Sequence, residues 1–163
     1  MQTISKVDKK LIEEIKDYLV NPKTKKKLFT WTALCLAGTV VSVLLKNMYL
    51  AIIFGVVTIA LGQNLLTLKK KAIKTVLKSI EKEDYSYIIN FGENIHIKNV
   101  TSGLESNIPA YEAEFLFEKE EYFVIFTRKW QFIPVYKEKL ENVETFVEYL
   151  KEQAPCMKIG GKI

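Results

Sequence analysis

The sequence predicts an α+β membrane protein, with a two-helix transmembrane hairpin followed by a small antiparallel sheet or barrel and a C-terminal helix. Three observations predict it. Residues 28–45 and 48–68 are two charge-free runs, with only Lys46 and Asn47 between them. Lysines crowd both outer flanks of that block. Beyond residue 84 the apolar period falls from 3.6 to 2, then returns to 3.6 near residue 138.

Composition narrows the function classes. A chain of 163 residues with 48% hydrophobic and 26% charged residues is neither disordered nor collagen-like. Two cysteines exclude a disulfide scaffold and a four-cysteine zinc module. The net charge of +5 is unevenly spread: residues 1–27 carry +4, 69–82 carry +5 and 83–163 carry −5. A nucleic-acid-binding domain needs its own basic surface, so no nucleic-acid partner is expected for the acidic part.

Residues 1–27 read as a cytoplasmic amphipathic helix and a lysine belt. Val7, Leu11, Ile15, Tyr18 and Leu19 recur at helical spacing, which predicts a helix over 5–20 with Ser5 as N-cap and Asn21-Pro22 as its stop. Its apolar face suits either the inner leaflet or the C-terminal domain. The charged start and the lack of a cleavage site read as an uncleaved anchor.

Residues 28–68 are the predicted hairpin. At 1.5 Å per residue the two runs measure about 27 and 31 Å, close to the roughly 30 Å of a bilayer's hydrocarbon core. The short Lys46-Asn47 turn forces an antiparallel pair. Lys23, Lys25, Lys26 and Lys27 then share one membrane face with Lys69, Lys70, Lys71 and Lys74. The positive-inside bias places that face in the cytoplasm, with both termini there. These eight lysines are the candidate anionic-lipid and topology belt. Ala51, Gly55, Thr58 and Gly62 form a small-residue stripe on the second span, and Ala33 and Ala37 a shorter one on the first. The stripes pack the hairpin on itself or form a homodimer interface. Neither run holds an acid, Arg or His, so no ion ladder is predicted.

Residues 69–83 continue as a basic juxtamembrane helix, with Ile73, Val76, Leu77 and Ile80 on one face. Residues 84–154 form the cytoplasmic β domain. Strands are predicted over Tyr85–Phe91, Ile95–Val100, Ile108–Tyr111, Ala113–Phe117, Tyr122–Thr127 and Gln131–Tyr136. A helix over about 138–153, built on Leu140, Val143, Phe146, Val147 and Leu150, ends at Pro155. Residues 155–163 are left as a tail.

A small sheet covered by one C-terminal helix resembles the pleckstrin-homology-like architecture. The order of a lysine-ended helix, a two-span hairpin and a strand domain carrying Ile108-Pro109 and Phe132-Ile133-Pro134 is similar to the YcxB-like bacterial membrane proteins. That resemblance implies a pleckstrin-homology-like cytoplasmic domain in a bacterial inner-membrane protein, with no catalytic set to transfer.

No catalytic, cofactor-binding or metal-ligating set is predicted, and no cofactor. His96 is the only histidine, and no phosphate cradle, nucleophile elbow or zinc motif occurs. Cys35 and Cys156 sit on different elements. Glu112, Glu114 and Glu118 read as one strand face, with Glu120 and Glu121 in a turn, forming either a solvated face or a partner-facing acidic strip. The expected function is therefore non-catalytic: a membrane-tethered interaction or regulatory module with a protein partner. The alternative is an immunity protein whose hairpin meets a membrane-active toxin within the bilayer.

Overall fold

A computed structural model describes residues 1–80 and 86–160. The chain is α+β and divides into two units, residues 1–11 with 79–163, and residues 12–78. Because the second is inserted into the first, the strand unit begins at the very start of the chain. Strand β1 (Gln2–Lys6) pairs antiparallel with β2 (Ser86–Phe91), Lys6 lying opposite Ser86 and Gln2 opposite Asn90. Residues 7–85 separate the two strands in sequence.

This corrects the reading of residues 5–20 as one helix. Ser5 is buried in β1 rather than capping a helix. Helix α1 is the shorter Lys9–Ile15, and its cap is Asp8, whose Oδ1 accepts from the Leu11 N–H at 2.8 Å. Leu11, Ile12 and Ile15 are fully buried within the protein, which removes the inner leaflet as their environment. Asn21-Pro22, expected to stop that helix, instead starts the next one. Asn21 Oδ1 accepts from the Lys23 N–H at 2.8 Å, and Pro22 takes the first helical position, where a missing N–H costs nothing.

The strand unit holds two four-stranded sheets. The first runs β1-β2-β3-β4, with β3 at Asn94–Asn99 and β4 at Glu105–Pro109. The second runs β7-β6-β5-β8, with β5 at Ala113–Glu118, β6 at Tyr122–Thr127, β7 at Phe132–Tyr136 and β8 at Lys158–Gly160. A 3-10 turn over Ala110–Glu112 leads from the first sheet to the second. On the other side β1 lies beside β7, where the Thr3 hydroxyl donates to the Lys139 carbonyl and the Tyr136 hydroxyl to that of Lys6.

Helix α4 (Val143–Gln153) covers the space between the sheets, and Asn142 caps it by accepting from the Glu144 and Thr145 N–H groups. Residues 138–139, expected to open this helix, lie instead in a 3-10 turn over Lys137–Lys139. The core is continuous from Ile89, Phe91 and Ile95 to Leu116, Phe123, Ile125 and Val135, closed by Phe146 and Leu150. Phe146 packs on Phe91 and Phe123, with ring centroids 5.1 and 5.5 Å away. Every residue of β6 is buried, so both faces of that strand are covered.

Two irregularities depart from simple alternation. The β5–β6 register shifts between Ala113 and Phe115, so Glu114 is the extra residue of a bulge. The tail is not structureless, because β8 adds to β5 in parallel. Gly160 makes that possible: a Cβ there would lie 2.5 Å from the Phe115 ring. Tyr85 and the end of the expected 69–83 helix lie outside the described residues.

Candidate functional site: the apolar hairpin and its lysine belts

Unit 12–78 consists mainly of α2 (Pro22–Leu44) and α3 (Met48–Ile80), about 35 and 50 Å long. Both are long and apolar enough to cross a membrane. Their apolar stretches are almost wholly uncovered, unlike a soluble core helix.

The turn between them is tight because two caps interlock. The Asn47 N–H donates to the Ser42 carbonyl and the Lys46 N–H to that of Val43, while Lys46 adopts φ 54. This is a Schellman ending with lysine in the left-handed position that usually favours glycine. Asn47 then caps α3, its Oδ1 accepting from the Leu50 N–H at 3.2 Å.

The helices meet through small side chains. Ala51 and Ser42 are buried, Gly55 faces the Thr39 methyl, and Gly38 lies against the Phe54 ring. Thr58 and Gly62 are half-buried, although nothing lies within 4 Å of a Cβ built on Gly62. Ala33 and Ala37 are exposed, so they stand off the face that packs α2 on α3. That face on α2 belongs to Gly38, Thr39 and Ser42, which lie about 100° and more around the helix from Ala37. Every serine and threonine hydroxyl within 28–45 and 48–68 donates to a carbonyl four residues back: Thr30, Thr32, Thr39, Ser42, Thr58 and Thr67. These hydroxyls therefore need no water.

The lysine belts sit on the first turns of α2 and the far end of α3. Lys23, Lys25, Lys26, Lys27, Lys69, Lys70, Lys71 and Lys74 are all exposed. Lys69 pairs with Asp17 and Lys71 donates to Asn64 Oδ1 at 2.9 Å. The Lys69 hydrogen bond, then its charge, holds the Asp17 carboxyl below the ordinary value, with Lys16 and Lys25 adding to the effect. Two grooves flank this end of the helices. One, of about 280 Å³, is lined by Pro22, Lys25, Lys26, Phe29 and Leu65. The other, of about 420 Å³, is lined by Ala60, Gln63, Asn64, Leu66, Thr67 and Lys71. The first draws its walls from both helices and the second from α3 alone, and sequence spacing carries no signal for either.

The strand unit offers dispersed polar pairs instead of a cluster. His96 and Lys98 reach the same carboxylate, Glu105, at 3.4 and 2.9 Å across the β3–β4 pair. The Lys98 hydrogen bond and charge lower the Glu105 carboxyl. Glu118 pairs with Lys137 at 2.9 Å and Glu121 with Lys10 at 3.0 Å, while Glu112 lies in the 3-10 turn and Glu114 on the bulge. The expected single acidic strand face is thus broken up. Cys35 is half-buried and Cys156 exposed, and neither forms a disulfide. Among the described residues no three His, Cys, Asp or Glu side chains gather as a metal site.

No family model, curated protein or solved structure matches the chain.

Proposed function

We propose that the chain is a non-catalytic bacterial cytoplasmic-membrane protein whose α2–α3 hairpin crosses the bilayer twice. Both termini lie in the cytoplasm, where a pleckstrin-homology-like domain is presented to a protein partner. The observation that carries this reading is the pairing of β1 with β2 across residues 7–85. Two strands of one sheet must occupy one compartment, so a membrane-inserted segment between them has to cross an even number of times.

Other features support the same reading. The apolar surface of α2 and α3 is left uncovered, with Leu44, Leu45, Ile52 and Ile59 among the exposed side chains, far beyond what a water-facing surface tolerates. The hydroxyls bond within their own helices, as a hydrocarbon medium requires. Eight lysines flank the open end and one stands at the closed tip, which is the charge asymmetry of a cytoplasmic open end. For the domain, the antiparallel runs β2-β3-β4 and β5-β6-β7 around one core, covered by a C-terminal helix, support the pleckstrin-homology-like assignment.

Reporter fusions test the topology. A reporter active only outside the cell should work when placed at residue 47 and stay silent at residue 20 and after the C-terminus. Activity at either terminus contradicts the proposal. Crosslinking in intact membranes followed by mass spectrometry would then identify the cytoplasmic partner.

A further inference from the structure

The lysine belts so far act as diffuse charge, but the groove beside Pro22 is more specific. We infer that it is a binding site for one anionic phospholipid, whose headgroup meets Lys25 and Lys26 and whose acyl chain lies along Phe29 and Leu65. This inference rests on the membrane-crossing reading of α2 and α3. Lys25 and Phe29 are one helical turn apart on α2, so charge and aromatic surface stack on one face over about 6 Å. Leu65 supplies an apolar wall from α3. Phe29 is 63% exposed, which leaves a large ring uncovered directly beside the cations.

Charge complementarity selects the occupant. Among the described residues neither Lys25 nor Lys26 forms an ion pair, whereas Lys69 on α3 is engaged by Asp17. The second groove lacks this combination: its lysine, Lys71, is held by Asn64, and its wall carries the Gln63 and Asn64 amides. A molecule with an anionic head and a hydrocarbon chain satisfies both halves of the first groove at once. A soluble anion would leave Phe29 and Leu65 uncovered.

Native mass spectrometry of the full chain in mild detergent tests the inference, with phosphatidylglycerol as probe and phosphatidylcholine as control. One phosphatidylglycerol should be retained in preference to phosphatidylcholine. The Lys25→Gln/Lys26→Gln variant should weaken that binding at least tenfold. A charge-matched Lys27→Gln/Lys70→Gln variant should change it less than threefold. All four side chains are exposed, so neither variant disturbs the fold. Equal losses in the two variants, equal retention of both lipids, or displacement by millimolar inorganic phosphate would overturn the site and leave the membrane reading standing. Failure of the unaltered chain to sediment with membranes would instead remove the reading beneath it.

Discussion

The two units of this chain use the same apolar residue types to opposite ends. In the strand unit Phe117, Phe123, Ile125 and Leu150 are sealed from solvent, while in the hairpin Leu44, Leu45, Ile52 and Ile59 are turned outward. The difference is one of pattern. Alternating strands and a one-sided helix have a polar face to give to water, so they can close around a core. Two helices apolar on every side have no such face, and pairing them still leaves most of their surface uncovered. Burial is therefore solved within the protein in one unit and is left to the surroundings in the other.

Substitutions can break this contrast, beginning with the largest effect. Phe146→Ala removes the ring that joins α4 to Phe91 and Phe123 and should cost about 3–5 kcal/mol. Denaturant unfolding of the strand unit, followed by near-ultraviolet circular dichroism in detergent, measures it. A loss below 1 kcal/mol would mean that the helix is not integral to that core.

The next pair compares two exposed positions directly. Ile59 in the hairpin is 64% exposed and Leu104 in the β3–β4 turn is 72% exposed. In a bilayer Ile59→Lys should cost about 2.5–3.5 kcal/mol of insertion free energy, read as a lower membrane-integrated fraction. Leu104→Lys should stay within about 0.5 kcal/mol. Equal, near-neutral outcomes would place both surfaces in water.

A smaller effect sharpens the strand unit alone. The Tyr149 hydroxyl donates to the Gly92 carbonyl at 2.6 Å, and burial raises its phenol above the ordinary value of 10.0. The protonated form is thus favoured in the fold. Its contribution is complete below about pH 10 and is lost as pH rises through the higher folded value. Tyr149→Phe should cost about 1 kcal/mol at neutral pH and flatten the alkaline fall in stability. An unchanged alkaline limb in unfolding curves would show that another group controls it.

The features legible in the sequence were those carried by long or repeated patterns. The two apolar helices and their turn follow from charge-free runs, and β2, β3 and β5 to β7 from alternation and turn residues. The strand expected over Ile108–Tyr111 lies earlier, at Glu105–Pro109, and gives way to a 3-10 turn at Ala110. The features without a sequence signal depend on distant partners. Strand β1 is five residues long, and its pairing partner begins at Ser86, so the helical spacing downstream overran it. The three-residue β8 is defined only by the edge of β5 and by the absence of a side chain at Gly160. Ala33 and Ala37 have the size that close helix packing needs, but a helix apolar all round carries no periodic mark of the side that meets its neighbour. Gly38 and Ser42 took that role. The Pro22 groove was invisible for a related reason, since Lys25 and Leu65 come together only when the helices pack.

The most direct measurement is alkaline carbonate extraction of membranes from cells producing the full chain. A hairpin held by bilayer hydrocarbon keeps the protein in the pellet after extraction and releases it only with detergent. Recovery of monodisperse protein in the carbonate supernatant, without detergent, would contradict a membrane-crossing hairpin.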